Sequence, residues 1–143
     1  SADILSLHAP YTADTHHLLN KGNIKSMKKG SLLINTARGP LVETAALVEA
    51  LKEEHLGGAG LDVLEEEGEI KDELNLLTQT RPDAETLRNM LLNHILIDMP
   101  NVIVTPHNAF NTWEALSRIL NTTLLNIKGF KEENPINIVK ANK

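Results

Sequence analysis

Four short runs of strand-forming residues punctuate this chain, and each gap between them is long enough to cross back over a sheet. The runs are Ile4-Leu5-Ser6-Leu7-His8, Ser31 to Asn35, Gly58-Ala59-Gly60-Leu61-Asp62-Val63 and Asn101-Val102-Ile103-Val104-Thr105. Pro10 closes the first and Pro106 the last. They are short, mostly apolar and bounded by breakers, as strands buried within a sheet are. Helical patterns alternate with them. The first spans Asn20 to Met27 and stops at Lys28-Lys29-Gly30; the second spans Glu43 to Glu54, with Leu47, Val48, Ala50 and Leu51 on one side and Gly57-Gly58 as its stop. Asp83 caps a third, carrying Leu87, Met90, Leu91 and His94. Thr112 caps a fourth that carries Leu116, Ile119, Leu120, Leu124 and Ile127 and ends at Gly129. From Lys131 the tail is charged, although Ile136, Ile138 and Val139 could dock as an edge strand. Strands alternating with helices require right-handed crossovers and a parallel sheet, the α/β doubly wound class.

In such sheets ligands gather at the carboxyl ends of the strands. The first strand ends at His8, the second just before Arg38, the third at Asp62 with Glu67 shortly after, and the fourth runs out to His107. Four consecutive strands therefore deliver ionisable groups to one edge. Arg38 taken alone is more often a surface or salt-bridging residue. Flanked by Gly39, which lets the backbone bend, and Pro40, which stiffens the exit, it is placed to hold a carboxylate in two parallel hydrogen bonds. His107 follows a strand-ending proline and leans functional. Asp62 lies in an otherwise apolar strand and needs a partner or a ligand. Of Glu65, Glu66 and Glu67, at least two are expected to be solvated. His16 and His17 are adjacent, point to different places and have no acidic motif nearby, so no metal site is expected. His94 reads as structural. Gly58 and Gly60 precede a strand instead of joining one to a helix, so they are not a phosphate cradle, and the chain has no other glycine fingerprint.

Bulk properties narrow the classes further. The 143 residues suffice for one domain with a real core. Aromatics are only 3%, so that core is made of Leu, Ile, Val and Ala. A net charge of −5 argues against nucleic acid as a partner. The absence of cysteine removes disulfides and thiolate metal sites and fits a reducing compartment. No apolar run nears the ~20 residues of a membrane span, and no signal-peptide pattern opens the chain, so a cytoplasmic location is expected. The chain starts at Ser1-Ala2-Asp3 and enters a strand at once, which suggests a piece of something larger.

An arginine, a histidine and a carboxylate on one rim of a dinucleotide-type fold suit the reduction of a 2-oxo acid by a nicotinamide. The stretches ADILSLHAPYTADTHHLLN, LLINTARGPLVETAALVEAL, GAGLDVLEEEGEI and NVIVTPHNAF closely resemble the D-isomer-specific 2-hydroxyacid dehydrogenases, and within them the D-lactate dehydrogenase group. The resemblance covers residues 2 to about 130. It implies the second half of a Rossmann-like NAD-binding domain over residues 1–130, with 131–143 a tail leading back to a substrate domain that this chain lacks. It also implies roles. Arg38 binds substrate, His107 is the acid/base, and Glu67, five residues after Asp62, is the carboxylate beside the histidine. Ala9, Pro10 and Thr15 fall in the phosphate and ribose region of NAD. Thr36, Ala37, Arg38 and Asp62 lie along its nicotinamide half, and Phe110 shapes the substrate pocket. Two departures stand out: Glu43 where relatives usually carry aspartate, and Asn111 where an aromatic is common in the D-lactate group.

The expected activity is hydride transfer between NAD(H) and a small D-2-hydroxy acid or 2-oxo acid, D-lactate and pyruvate first, with the piece inactive alone. NAD and NADP are not distinguished, because the discriminating acidic residue would precede Ser1. A non-catalytic, nucleotide-sensing scaffold of the corepressor type is the alternative on the same fold. Half a doubly wound sheet leaves a face and an edge uncovered, so self-association as a homo-oligomer, commonly a dimer in relatives, is also expected.

Overall fold

The computed structural model describes residues 2–65 and 84–139. The chain divides into two compact units, Ser1–His107 and Asn108–Lys143. In the first unit, β1 (Ile4–Leu7), β2 (Leu32–Asn35), β3 (Gly58–Leu61) and β4 (Val102–Val104) form one sheet in the order β1-β2-β3-β4. All three pairings are parallel. Helix α1 (Thr44–Lys52) links β2 to β3, and α2 (Ala84–Asp98) precedes β4. The doubly wound α/β expectation holds for this unit.

The pleat separates two faces. Leu7, Leu33, Ala59 and Leu61 point into the core with Ala46, Leu47, Ala50, Leu51 and Leu56. Each fully buried leucine among them contributes on the order of 2 kcal/mol of transfer free energy. Ile4, Leu32 and Ile103 occupy the alternate positions, and Ile103 is 71% exposed. Helix α1 forms where Ala, Leu and Val recur at helical spacing, and it buries that side.

Several local expectations are corrected. Residues 20–27 hold only a 3₁₀ turn, Ile24–Ser26. Asn20 and Asn23 compete for the backbone there: Asn20 Oδ1 accepts from Gly22 N, Asn23 Oδ1 accepts from Asn20 N, and Asn23 Nδ2 donates to Leu18 O. Helix α1 stops at Lys52, and Glu54 takes the left-handed turn position at φ 55°, ahead of the two glycines. Helix α2 buries Asn93 and Leu96, with Leu92 against the core, whereas Leu87, Leu91 and His94 face outward.

The second unit carries α3 (Trp113–Lys131). Thr112 caps it as expected, its Oγ1 accepting from Ala115 N at 3.2 Å. The helix continues past Gly129, where a β-carbon would come 2.8 Å from Asn134 O because the tail folds back there. Asn137 Nδ2 donates to Asn126 Oδ1, so the tail lies beside the helix end and forms no strand through Val139. The apolar stripe expected on this helix is solvent-facing, with Leu120 and Leu124 each 63% exposed.

Candidate active site

Leu7, Asn35, Leu61 and Val104 are register partners across the sheet, so all four strands finish level. The next residues, His8, Thr36, Asp62 and Thr105, begin the loops of one edge. Arg38 lies three residues beyond β2 and His107 three beyond β4. With neighbouring strands ~4.8 Å apart and only β3 between them, the two strand ends are about 10 Å apart.

Arg38 is solvent-exposed, and its Nη1 donates to Ala37 O at 2.6 Å. Its main chain is held from below. The side chain of Asn35, buried at the strand end, donates through Nδ2 to Arg38 O at 2.9 Å and accepts from Ala37 N at 3.1 Å. Gly39 then passes tightly over the loop that follows β3: a β-carbon there would lie 2.1 Å from Leu64 O. The glycine beside Arg38 thus serves close approach of two backbones. Arg38 and Ala37 line an open cleft of about 530 Å³ with His8, Ala9, Pro10 and Tyr11. Four of the residues singled out in the sequence, Ala9, Pro10, Ala37 and Arg38, meet in it.

Thr15 shapes the same loop from within, donating through Oγ1 to Pro10 O at 2.8 Å and accepting from Thr12 N. Thr36 is exposed. Asp62 sits one residue past β3 and is only 4% exposed. It has the partner its burial demands: Thr105, at the end of β4, donates its hydroxyl to Asp62 Oδ1. His107 is partly buried, with its N donating to Thr105 O across Pro106 and with a left-handed backbone at φ 53°. Non-glycine residues in that conformation are uncommon and concentrate at functional positions. Glu66 and Glu67 lie outside the described residues. Phe110, in the second unit, is half exposed.

Glu65 is the member of the glutamate run that the structure describes, and it is not solvated. It is 6% exposed, and its carboxylate bridges two distant segments. His17 Nε2 donates to Oε1 at 2.6 Å, while Thr44 donates to Oε2 through its backbone N at 2.7 Å and through its hydroxyl. Asn93 Nδ2 donates to Glu65 O at 2.7 Å. Glu43, whose side chain does not cap α1, accepts from Lys21 N instead, so Glu65 satisfies the first amide of the helix. His16 and His17 do not diverge: their rings stack with centroids 3.8 Å apart. Among the described residues no group of His, Asp or Glu side chains is arranged to hold a metal ion. Asn35, Thr44, Asn93 and Thr105 were not singled out from the sequence. The available signal was a polar residue closing an apolar strand, present in Asn35 and Thr105.

The sequence profile described as "D-isomer specific 2-hydroxyacid dehydrogenase, NAD binding domain" matches residues 1–109. The chain is 45% identical over 129 residues to 2-hydroxyacid dehydrogenase A of Aspergillus oryzae, covering 90% of this chain and 35% of that protein. It is 44% identical over 131 residues to the D-specific alpha-keto acid dehydrogenase of Enterococcus faecium, covering 92% and 38% respectively. The crystal structure of D-lactate dehydrogenase from Aquifex aeolicus complexed with NAD and lactic acid superposes with a TM-score of 0.77 at 40% identity, over 93% of this chain and 38% of that one. The chain therefore spans between a third and two fifths of the length of these proteins.

Proposed function

Because this chain belongs to the D-isomer-specific 2-hydroxyacid dehydrogenases, as part of their NAD-binding domain, we propose that its full-length protein interconverts a small 2-oxo acid and the D-2-hydroxy acid, with pyruvate and D-lactate as the first pair. The single observation that carries this reading is the level finish of four parallel strands, with Arg38 in a cleft on that edge and His107 at the end of β4.

The residues present suit the nicotinamide side of NAD. Ala9 and Pro10, proposed for the phosphate and ribose region, and Ala37, proposed for the nicotinamide half, give the cleft small walls beside Arg38. The buried Asp62 carboxylate stands at the adjoining strand end. No glycine-rich strand-to-helix turn for a pyrophosphate occurs in the sequence. When bound, NAD(H) supplies or accepts the hydride.

In this reading Arg38 grips the substrate carboxylate through paired charged hydrogen bonds, worth roughly 1.5–3 kcal/mol each, and polarises the neighbouring carbonyl. His107 donates a proton to the carbonyl oxygen during reduction and takes it back during oxidation. Glu67 is the carboxylate that partners that imidazole. Several relatives are named as dehydrogenases or reductases, which supports turnover over a corepressor-type scaffold.

Among the described residues no helix is long and apolar enough to cross a membrane, and a cytoplasmic location belongs to the same proposal. The uncovered apolar positions Ile4, Leu32 and Ile103 support self-association of this chain on its own, which sedimentation of the 143-residue chain tests. The activity test is oxidation of NADH by the full-length protein with pyruvate and with larger 2-oxo acids, the product's chirality being determined. D-2-hydroxy acid is expected, together with a loss of about 10²–10⁴ in kcat for His107→Gln. Failure to turn over any 2-oxo acid, or an unimpaired His107→Gln enzyme, overturns the reading.

A further inference from the structure

We propose that Glu65 is a positioning residue for Arg38, acting through a buried clasp that joins three loops of the strand-end edge. The inference rests on the dehydrogenase reading for its consequence, but its geometry stands apart from that reading.

The loop that displays the guanidinium runs from Asn35 to Thr44, and it is pinned along its length. Asn35 holds Ala37 and Arg38 at the near end. Gly39 rests on the Leu64–Glu65 peptide, close enough that no side chain fits between them. Pro40 O accepts from His17 N at 2.8 Å, and Leu41 O accepts from Leu19 N at 3.0 Å. At the far end, Thr44 gives both its amide and its hydroxyl to Glu65. His17 therefore touches the loop twice, once through its own backbone and once through Glu65.

His17 holds a left-handed backbone at φ 49°, a conformation that a histidine keeps only when its surroundings over-determine it. The main chain of Glu65 is fixed as well, because Asn93 of α2 donates to its carbonyl. A carboxylate accepting three hydrogen bonds inside the protein, with its own backbone anchored, makes a rigid post. Buried polar groups of this kind act strongly because any loss leaves several donors unsatisfied together. The post reaches the loop on the C-terminal side of Arg38, at Gly39, at Pro40 through His17 and at Thr44, and none of its side-chain partners lines the cleft itself. Its contribution to the reaction is therefore the placement of the guanidinium.

The expected outcome is specific to placement. In the full-length protein, Glu65→Ala raises the KM for pyruvate by about 10–100-fold, while the KM for NADH and the far-UV circular dichroism stay near the parent values. His17→Leu does the same, and His17→Gln, whose amide can still donate to the carboxylate, recovers most of the loss. An unchanged pyruvate KM in Glu65→Ala overturns the proposal, as does an equal loss in His17→Leu and His17→Gln. If Glu65→Ala does not fold, the two His17 variants decide. If the parent protein turns over no 2-oxo acid, the dehydrogenase reading fails separately, and amide hydrogen exchange decides about the clasp. Faster exchange at Leu41 and Thr44 in His17→Leu, with Leu33 and Leu61 unaltered, supports it, and unaltered exchange throughout overturns it.

Discussion

The side chain of Asn35 reaches forward three residues and donates to the main-chain carbonyl of Arg38 at 2.9 Å, from a position 1% exposed at the end of β2. A buried amide therefore serves as the mount for an exposed guanidinium. The same side chain accepts from Ala37 N, so the turn between strand and arginine is closed by a single residue.

Replacing Asn35 separates the two bonds. Asn35→Ala leaves the Ala37 amide and the Arg38 carbonyl without their buried partner, and a stability loss of about 1–3 kcal/mol is expected by denaturant unfolding. Asn35→Asp keeps the acceptor for Ala37 N but loses the donor to Arg38 O. It should raise the KM for the 2-oxo acid with a smaller change in the KM for NADH.

Arg38→Lys keeps the charge and discards the planar fork. A compact ammonium cannot make two parallel hydrogen bonds to a carboxylate. The expected result is a KM for pyruvate raised roughly tenfold or more, from the loss of about 1.5–3 kcal/mol of charged hydrogen bonding. Equal kinetics in the two enzymes would remove Arg38 from the substrate site.

Gly39→Ala tests the crossing of the two loops. Its β-carbon would meet Leu64 O at 2.1 Å and Glu65 N at 2.5 Å, backbone atoms that cannot swing aside. Overpacking of this kind costs about 1–3 kcal/mol, occasionally more. The melting temperature should fall, and a variant as stable as the parent would show that the loops do not pass so closely.

The surface pair Lys25–Glu53, 2.6 Å apart, carries a pH signature. The hydrogen bond from Lys25, with its charge, lowers the Glu53 value below 4.5, and the hydrogen bond to Glu53 raises Lys25 above 10.5. The Glu53 contribution to stability is present above its unfolded value and lost as pH falls through the lowered folded one. The Lys25 contribution is present below its unfolded value and lost as pH rises through the raised folded one. Carboxyl NMR should place the Glu53 midpoint below 4.5. Glu53→Gln should melt below the parent near neutrality by a small margin, since both side chains are about half exposed, and that margin should vanish in acid.

The parts of the fold that followed from sequence are those where a local period decides burial. Leu33, Ala59 and Leu61 lie on the inward face of strands found where expected, and Leu47, Ala50 and Leu51 on the inward side of α1. Residues 20–27 were misread because two asparagine side chains, and not an apolar stripe, settle the backbone there. In α2 the expected inward side was wrong. Leu92 and Leu96 pack against the core and Asn93 between them reaches the Glu65 carbonyl, so the inward side is theirs and Leu87 and Leu91 face outward.

Arg38 and His107 could be singled out because a parallel sheet sends every strand end to one edge, so position along the chain already implies position in space. Glu65 could not. In a run of three glutamates its composition favours solvent, and its partners Thr44 and His17 stand 21 and 48 residues away. Backbone preferences and hydrophobic periods act over a few residues, and they are enough to order strands, helices and the edge where chemistry belongs. A buried carboxylate is stable only when several donors from separate segments arrive together, and that meeting exists only once the chain has packed.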